Sequence, residues 1–326
     1  MKTKFLLLFL FFILIFVTTC KKTEEYKAPR AYAIHPLEIT TSQALLRATF
    51  QKGSNKINTF GFEWKKTGDT ICQKVTAKAS DFSFSFLATH LEEDTEYEVK
   101  SFVIDSYDKV WYSNERYFFT KGTLTDIDDN VYQTLRFGDM IWTTENMRVT
   151  RYADGTPMEG RTGGIPSDLD PPVYYHDKWH TPHASNPNFG LLYNYEAVRQ
   201  NYKVLNNPKF GFQGVYQGVC PDGWHVSTGQ EWGELYELFR DWEQVFVVLK
   251  TSNWPDFPSG ANNYSQLSVE PAGYYEWRIL PNNKETSFEG LFESALFWGG
   301  PFILPGSPFG FVQFMNEGRS VRCVKD

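Results

Sequence analysis

Chemistry in this 326-residue chain could be built from 4 cysteines, 6 histidines and an unusual share of aromatic rings. Cys220 stands in VCPDGWHVSTGQEW (219–232), and Cys323 lies in the terminal SVRCVKD. A reactive thiol needs a nearby basic activator or a Cys-x-x-Cys partner to lower its pKa; neither accompanies Cys220. If the chain is exported, the two sulfurs read first as a disulfide, with a reactive thiol as the alternative. His176, His180 and His183 in HDKWHTPH (176–183) have a spacing that on a helix would gather them for a transition metal. Pro182 interrupts such a helix, so solvated loop histidines are expected and no cofactor is implied. Asp126, Asp128 and Asp129 in DIDDN begin like a calcium loop. Val131 and Phe137 occupy the positions where its glycine and bidentate glutamate belong, and a hairpin turn is expected instead. Trp254, Tyr264, Tyr274, Tyr275, Trp277 and Trp298, interspersed with Asn262, Asn263 and Asn282, combine flat rings with amides. That mixture suits a sugar ring, yet a loop-rich domain also needs large side chains to fill its core, and that role is the favoured one.

The elements that must position these groups begin with the N-terminus. Lys2 and Lys4 precede an unbroken apolar run from Phe5 to Val17, then Thr18-Thr19-Cys20. The run is shorter than the roughly 20 residues a membrane-spanning helix needs; a charged start, a short apolar stretch and small residues describe a signal peptide. Val17-Thr18-Thr19-Cys20 resembles the lipobox of bacterial lipoproteins, which implies loss of residues 1–19, acylation of Cys20 and a tether over 20–30. Lys21-Lys22-Thr23-Glu24-Glu25 is similar to the signal that sends some Bacteroidetes lipoproteins to the outer face. The expected location is therefore the outer membrane or cell surface of a Gram-negative bacterium. Removing residues 1–19 takes two lysines and moves the formal charge from −7 to −9. A chain of that sign lacks the basic footprint required by phosphate backbones, which excludes nucleic acid as the expected partner.

Beyond the tether the chain changes character once. ALLRATF (44–50), TFGFEWKK (59–66), FSFSFLAT (82–89), YEVKSFVID (97–105) and VWYSNERYFFT (110–120) alternate with the period of two of half-buried strands. Short strands at regular spacing predict an all-β sandwich over 31–121. Leu91-Glu-Glu-Asp-Thr95-Glu-Tyr97 resembles the tyrosine corner of fibronectin type III domains, in which a tyrosine opening a strand hydrogen-bonds back across the preceding loop. Cys72 in TICQKV is expected as a small buried hydrophobe on a strand, with a reactive or intermolecular thiol as the alternative.

From 125 to 326 an α+β, loop-rich domain with one main helix is expected. TDIDDNVYQTLRFGDMIWTTENMRVTRYADGTPM, FGLLYNYEAV, VCPDGWHVSTGQEWGELYELF and SVRCVKD, in that order, resemble the Fibrobacter succinogenes major paralogous domain of exported bacterial proteins. AGYYEW (272–277) and ALFWGG (295–300) stand where that family carries a Trp-Ser-rich block and a GGYR-like turn. Thr228-Gly-Gln-Glu231 has capping-box spacing, and Trp232, Leu235, Leu238 or Phe239, and Trp242 outline one apolar helix face. The style is similar to C-type lectin-like and formylglycine-generating folds, from which no catalytic or metal residue carries over. These readings lead to a non-catalytic, lipid-anchored surface protein that recognises extracellular glycan or another surface protein, as an adhesin would. The alternatives are an enzyme on a formylglycine-enzyme-like scaffold and an assembly subunit of the cell envelope.

Overall fold

A computed structural model describes residues 25–161, 171–175, 189–207, 211–239, 254, 265–280, 283–291, 295–300, 302–303 and 317–326. Its first part is a two-sheet sandwich. One sheet joins β1 (Arg30–Leu37), β2 (Gln43–Gln51), β5 (Ala79–Ser80) and β6 (Ser83–Thr89) in the order β1-β2-β6-β5. The other joins β3 (Ile57–Lys66), β4 (Gln73–Ala77), β7 (Glu96–Asp105), β8 (Val110–Tyr112) and β9 (Arg116–Phe119), ordered β4-β3-β7 with both β8 and β9 paired to β7. All pairings in both sheets are antiparallel.

The alternation expected in the sequence is realised. Ala44, Leu46, Ala48 and Phe50 of β2 face inward and pack with Phe62, Trp64, Phe84, Tyr97, Val99 and Phe118. Tyr97 Oη accepts the Glu92 amide at 2.8 Å, closing the tyrosine corner.

Two expectations are corrected. VWYSNERYFFT does not form one strand but breaks between β8 and β9, because Ser113 turns inward. Its amide donates to Ser101 O at 2.8 Å, and its Oγ accepts the Ser101 amide at 3.0 Å. A side chain thus replaces one rung of the ladder. Cys72 is not a buried strand residue; it is exposed, just ahead of β4, and carries a free thiol.

The second part starts at β10 (Gly122–Thr125), immediately after the sandwich. The junction is polar: the Lys121 amide donates to Thr40 O at 3.1 Å, and Thr123 Oγ1 donates to Glu93 Oε2 at 3.1 Å. β10, β11 (Val131–Phe137), β12 (Met140–Thr143), β18 (Trp224–Val226) and β23 (Cys323–Lys325) form a sheet ordered β10-β11-β12-β23-β18. The last strand therefore lies inside the sheet, with Val324 opposite both Trp142 and His225. β13 (Glu159–Arg161), β14 (Val173–Tyr175) and β15 (Leu192–Tyr193) form a small sheet, and β16 (Tyr202–Asn207) and β17 (Gly211–Tyr216) a hairpin. β19 (Ala272–Leu280), β20 (Asn283–Leu291), β21 (Ala295–Leu296) and β22 (Phe302–Ile303) make the last sheet.

The main helix, Gly229–Phe239, begins at the expected capping box. Glu231 Oε2 accepts the Thr228 amide at 2.8 Å, and Thr228 Oγ1 accepts the Glu231 amide at 3.3 Å. It buries Trp232, Leu235 and Tyr236 against Trp142, Trp254, Leu267 and Phe297. Leu238 does not belong to that face, being half exposed; Trp242 lies outside the described residues. Among the described residues no helix is long and apolar enough to cross a membrane.

Candidate functional site

The aromatic residues proposed from sequence separate into three groups. Trp254 and Trp298 are core residues, 5% and 2% exposed. Their indole N–H groups donate to Val269 O at 2.9 Å and to Tyr193 O at 2.6 Å, and the Arg319 guanidinium covers the Trp298 ring. Burial, with both indole N–H groups bonded inside the protein, gives these two rings the core role and not a face for ligand. Tyr274, Tyr275 and Trp277 lie on β19, with Tyr275 opposite Phe288 and Trp277 opposite Thr286 in the β19–β20 hairpin. Tyr264 lies outside the described residues, as do His176, His180, His183 and Cys20. Among the described residues no three His, Cys, Asp or Glu side chains gather as a metal site. Two of the three DIDDN carboxylates are occupied by protein donors. Asp126 accepts the Asp128 and Asn130 amides and the Tyr132 hydroxyl, while Asp128 accepts from Thr150 and Arg151.

Sequence reasoning missed an aromatic face on the β16–β17 hairpin. Tyr202, Val204 and Tyr216 are 61%, 57% and 39% exposed. Tyr202 pairs with Tyr216 across the hairpin, their ring centroids 5.2 Å apart and tilted by 59°. Gly214 makes the arrangement possible: a Cβ there would lie 2.0 Å from Tyr202 Oη, so only glycine lets the ring lie across the strand. The opposite face is anchored, since Val215 is buried and Lys203 Nζ donates to Trp224 O at 3.0 Å. Exposed Asn206 extends the outer face with an amide. Two ring faces, a small apolar side chain and an amide on one ribbon can pack the C–H face of a sugar while hydrogen-bonding its hydroxyls. The available sequence signal was a tyrosine at each end of the hairpin, with a glycine two residues before the second.

A buried cluster with the look of acid–base machinery lies beside the helix start. His225 Nε2 meets Glu231 Oε1 at 2.8 Å and Nδ1 meets Asp326 Oδ1 at 2.9 Å. Lys203 Nζ also reaches Asp326. Both partners of the imidazole are acceptors, so both ring nitrogens donate and neither keeps a lone pair to act as a base. Burial pushes the His225 pKa down, but the hydrogen bonds and charges of Glu231 and Asp326 outweigh it and hold the pKa above its ordinary value. The sign follows: a raised folded pKa contributes stability that is complete below the unfolded value near about 6.5 and is lost as pH rises through the folded value. Urea unfolding of the wild-type chain should therefore lose free energy relative to His225→Gln as pH is raised from below 6 through the mildly alkaline range. A pH-independent difference between the two would show that His225 does not fold as imidazolium.

Cys220 and Cys323 are joined in a disulfide and both are fully buried. The bond ties the turn preceding β18 to the strand β23 that pairs with it.

Residues 135–325 match the model of the Fibrobacter succinogenes major domain. No curated protein matches the chain. Solved structures similar to part of it include a myokine structure, at 19% identity over 29% of this chain and 98% of the other, TM-score 0.24. A fibronectin type III domain of human collagen XX matches at 17% identity over 28% and 92%, TM-score 0.24. The sensor domain of the anti-sigma factor RsgI4 of Pseudobacteroides cellulosolvens matches at 16% identity over 28% and 75%, TM-score 0.24.

Proposed function

The chain belongs to the Fibrobacter succinogenes major domain family, and from that premise we propose a non-catalytic, lipid-anchored protein of the bacterial outer membrane or cell surface whose C-terminal domain recognises extracellular glycan. The observation that carries the reading is the exposed Tyr202–Tyr216 pair laid over Gly214. Rings held half out of a folded domain cost apolar hydration, and a ligand that covers them recovers it. Export is supported by the buried Cys220–Cys323 bond, a linkage that persists in oxidising compartments, and by the lipobox-like Val17-Thr18-Thr19-Cys20 ahead of a polar tether. The same bond weighs against an enzyme of the formylglycine-generating kind, since it occupies both sulfurs of the domain. A helix launched from a disulfide-fixed turn supports the lectin-like style of the C-terminal domain. The sandwich then serves as a spacer between tether and recognition domain.

The test is affinity electrophoresis and calorimetry of the full chain, disulfide intact, against soluble neutral polysaccharides. Tyr202→Ala with Tyr216→Ala should weaken binding about tenfold or more, each ring contact contributing about 0.5–1.5 kcal/mol, without changing the melting temperature by more than a few degrees. Undiminished binding in that variant would remove the hairpin as the site.

A further inference from the structure

The spacer carries a groove of its own. It is an open cavity of about 770 Å³ on the outer face of the β4-β3-β7-β8 sheet, lined by Glu63, Lys100, Tyr112, Asn114, Glu115 and Tyr117 among others. Tyr112 and Tyr117 are 46% and 47% exposed and stand on either side of the break between β8 and β9. Their hydroxyl ends are fixed: Tyr112 Oη donates to Glu63 Oε1 at 2.8 Å and Tyr117 Oη to Glu115 Oε2 at 2.9 Å. Each carboxylate is neutralised by a lysine, Glu63 by Lys74 and Glu115 by Lys100. Tyr112 also packs against the buried Phe102 ring, their centroids 6.0 Å apart. The Phe102 ring rests on Gly61, where a Cβ would approach Phe102 Cζ to 2.3 Å, and Lys74 Nζ caps the ring at 4.4 Å from its centroid.

We infer that this groove is a second binding site, distinct from the β16–β17 face, for a neutral saccharide segment. Four properties select that ligand. The volume falls in the range of small-ligand sites, about 300–1,000 Å³. The charges cancel pairwise, so neither an anion nor a cation is favoured. The tyrosine rings are anchored at their hydroxyls and about half exposed, Tyr112 with Phe102 and Lys74 against part of its ring, and the exposed ring surface suits C–H faces of a pyranose. The paired lysines and carboxylates retain unused donors and acceptors, and the exposed Asn114 amide adds both, which suits a ring of hydroxyls. A peptide added as an edge strand is disfavoured here, because the inward turn of Ser113 toward Ser101 interrupts the row of backbone groups such a strand would need.

The experiment uses the full chain with Tyr202→Ala and Tyr216→Ala in place, so that binding left over cannot come from the hairpin. Linear neutral oligosaccharides of β-linked glucose, mannose and N-acetylglucosamine are titrated by saturation-transfer NMR and calorimetry. A weaker residual binding should persist in this background and fall about tenfold further on adding either Tyr112→Ala or Tyr117→Ala, whereas Tyr117→Phe, which keeps the ring, should retain most of it. These exposed positions allow folding to be checked by an unchanged melting temperature. Absence of binding to all three oligosaccharides in this background, or binding indifferent to both alanine variants, overturns the proposal, as does a tyrosine-dependent preference for a peptide or a charged oligosaccharide. The hairpin reading is judged separately, on chains in which the groove is changed and Tyr202 and Tyr216 are kept.

Discussion

Reducing the Cys220–Cys323 bond, or replacing both residues by alanine, is expected to lower the unfolding free energy of the C-terminal domain by about 4.7 kcal/mol. The figure follows from a closed loop of about 100 residues in the chain-entropy account, and it is a large part of the 5–15 kcal/mol by which domains are stable at all. Its structural consequence is local as well as global. β23 is an interior strand of its sheet, held between β12 and β18, yet it arrives from the far end of the chain. Without the crosslink the sheet closes only when the last few residues find a gap between strands some 100 and 180 positions earlier, the non-local pairing that loop entropy penalises most. Guanidinium unfolding followed by tryptophan fluorescence, with and without reductant, measures the global loss. Amide exchange at Cys323 and Val324 should accelerate more than exchange at Phe62 or Val103 in the sandwich. Equal unfolding midpoints in the two states would mean that the crosslink leaves the unfolded chain unconstrained, and the argument for an oxidised, exported fold would lose its main support.

The elements legible in the sequence are those whose rule is local. β2, β3, β6 and β7 could be read from period two because each buries every second side chain in one shared core. The helix start could be read because its capping box is closed by residues three apart. What escaped depends on partners far along the chain. That Glu231 also holds His225, and His225 Asp326, is set by the pairing of β18 with β23 over a separation of 101 residues. The break between β8 and β9 was hidden because Ser113 looks polar and exterior in a run that alternates, while its hydroxyl in fact faces the neighbouring strand. Tyr202 and Tyr216 were hidden for the converse reason. Composition counts aromatic residues without distinguishing those the core consumes, such as Trp254 and Trp298, from those a hairpin holds outside it.

Arg322→Met is expected to destabilise the C-terminal domain by about 3–5 kcal/mol, because several buried acceptors lose their donor at once. Arg322 is fully buried, and burial pulls its pKa down to about 9, so the guanidinium is held as a cation only by what surrounds it. Its hydrogen-bond acceptors are all neutral, while the charges of Glu145 and Glu270 partly oppose the effect of burial. Nε donates to Asn146 Oδ1 at 2.7 Å, Nη1 to Thr143 O at 3.1 Å and Leu267 O at 2.8 Å, and Nη2 to Ser268 O at 3.0 Å. One planar fork thus joins the end of β12, the 265–268 segment and β23. Methionine fills much of the volume but leaves three backbone carbonyls and the Asn146 amide oxygen without this donor, each orphaned acceptor costing about 1–3 kcal/mol. Arg322→Lys should restore little, because an ammonium cannot reproduce donors fixed in two directions in one plane. Since Arg322 adjoins Cys323 and both pin β23, their losses should not add. In a double-mutant cycle with Cys220→Ala and Cys323→Ala, the Arg322→Met penalty should be at least about 1 kcal/mol smaller than in the oxidised chain, because the strand it anchors is then already free to leave. Strict additivity in urea unfolding would show instead that the disulfide and the guanidinium act on separate parts of the domain.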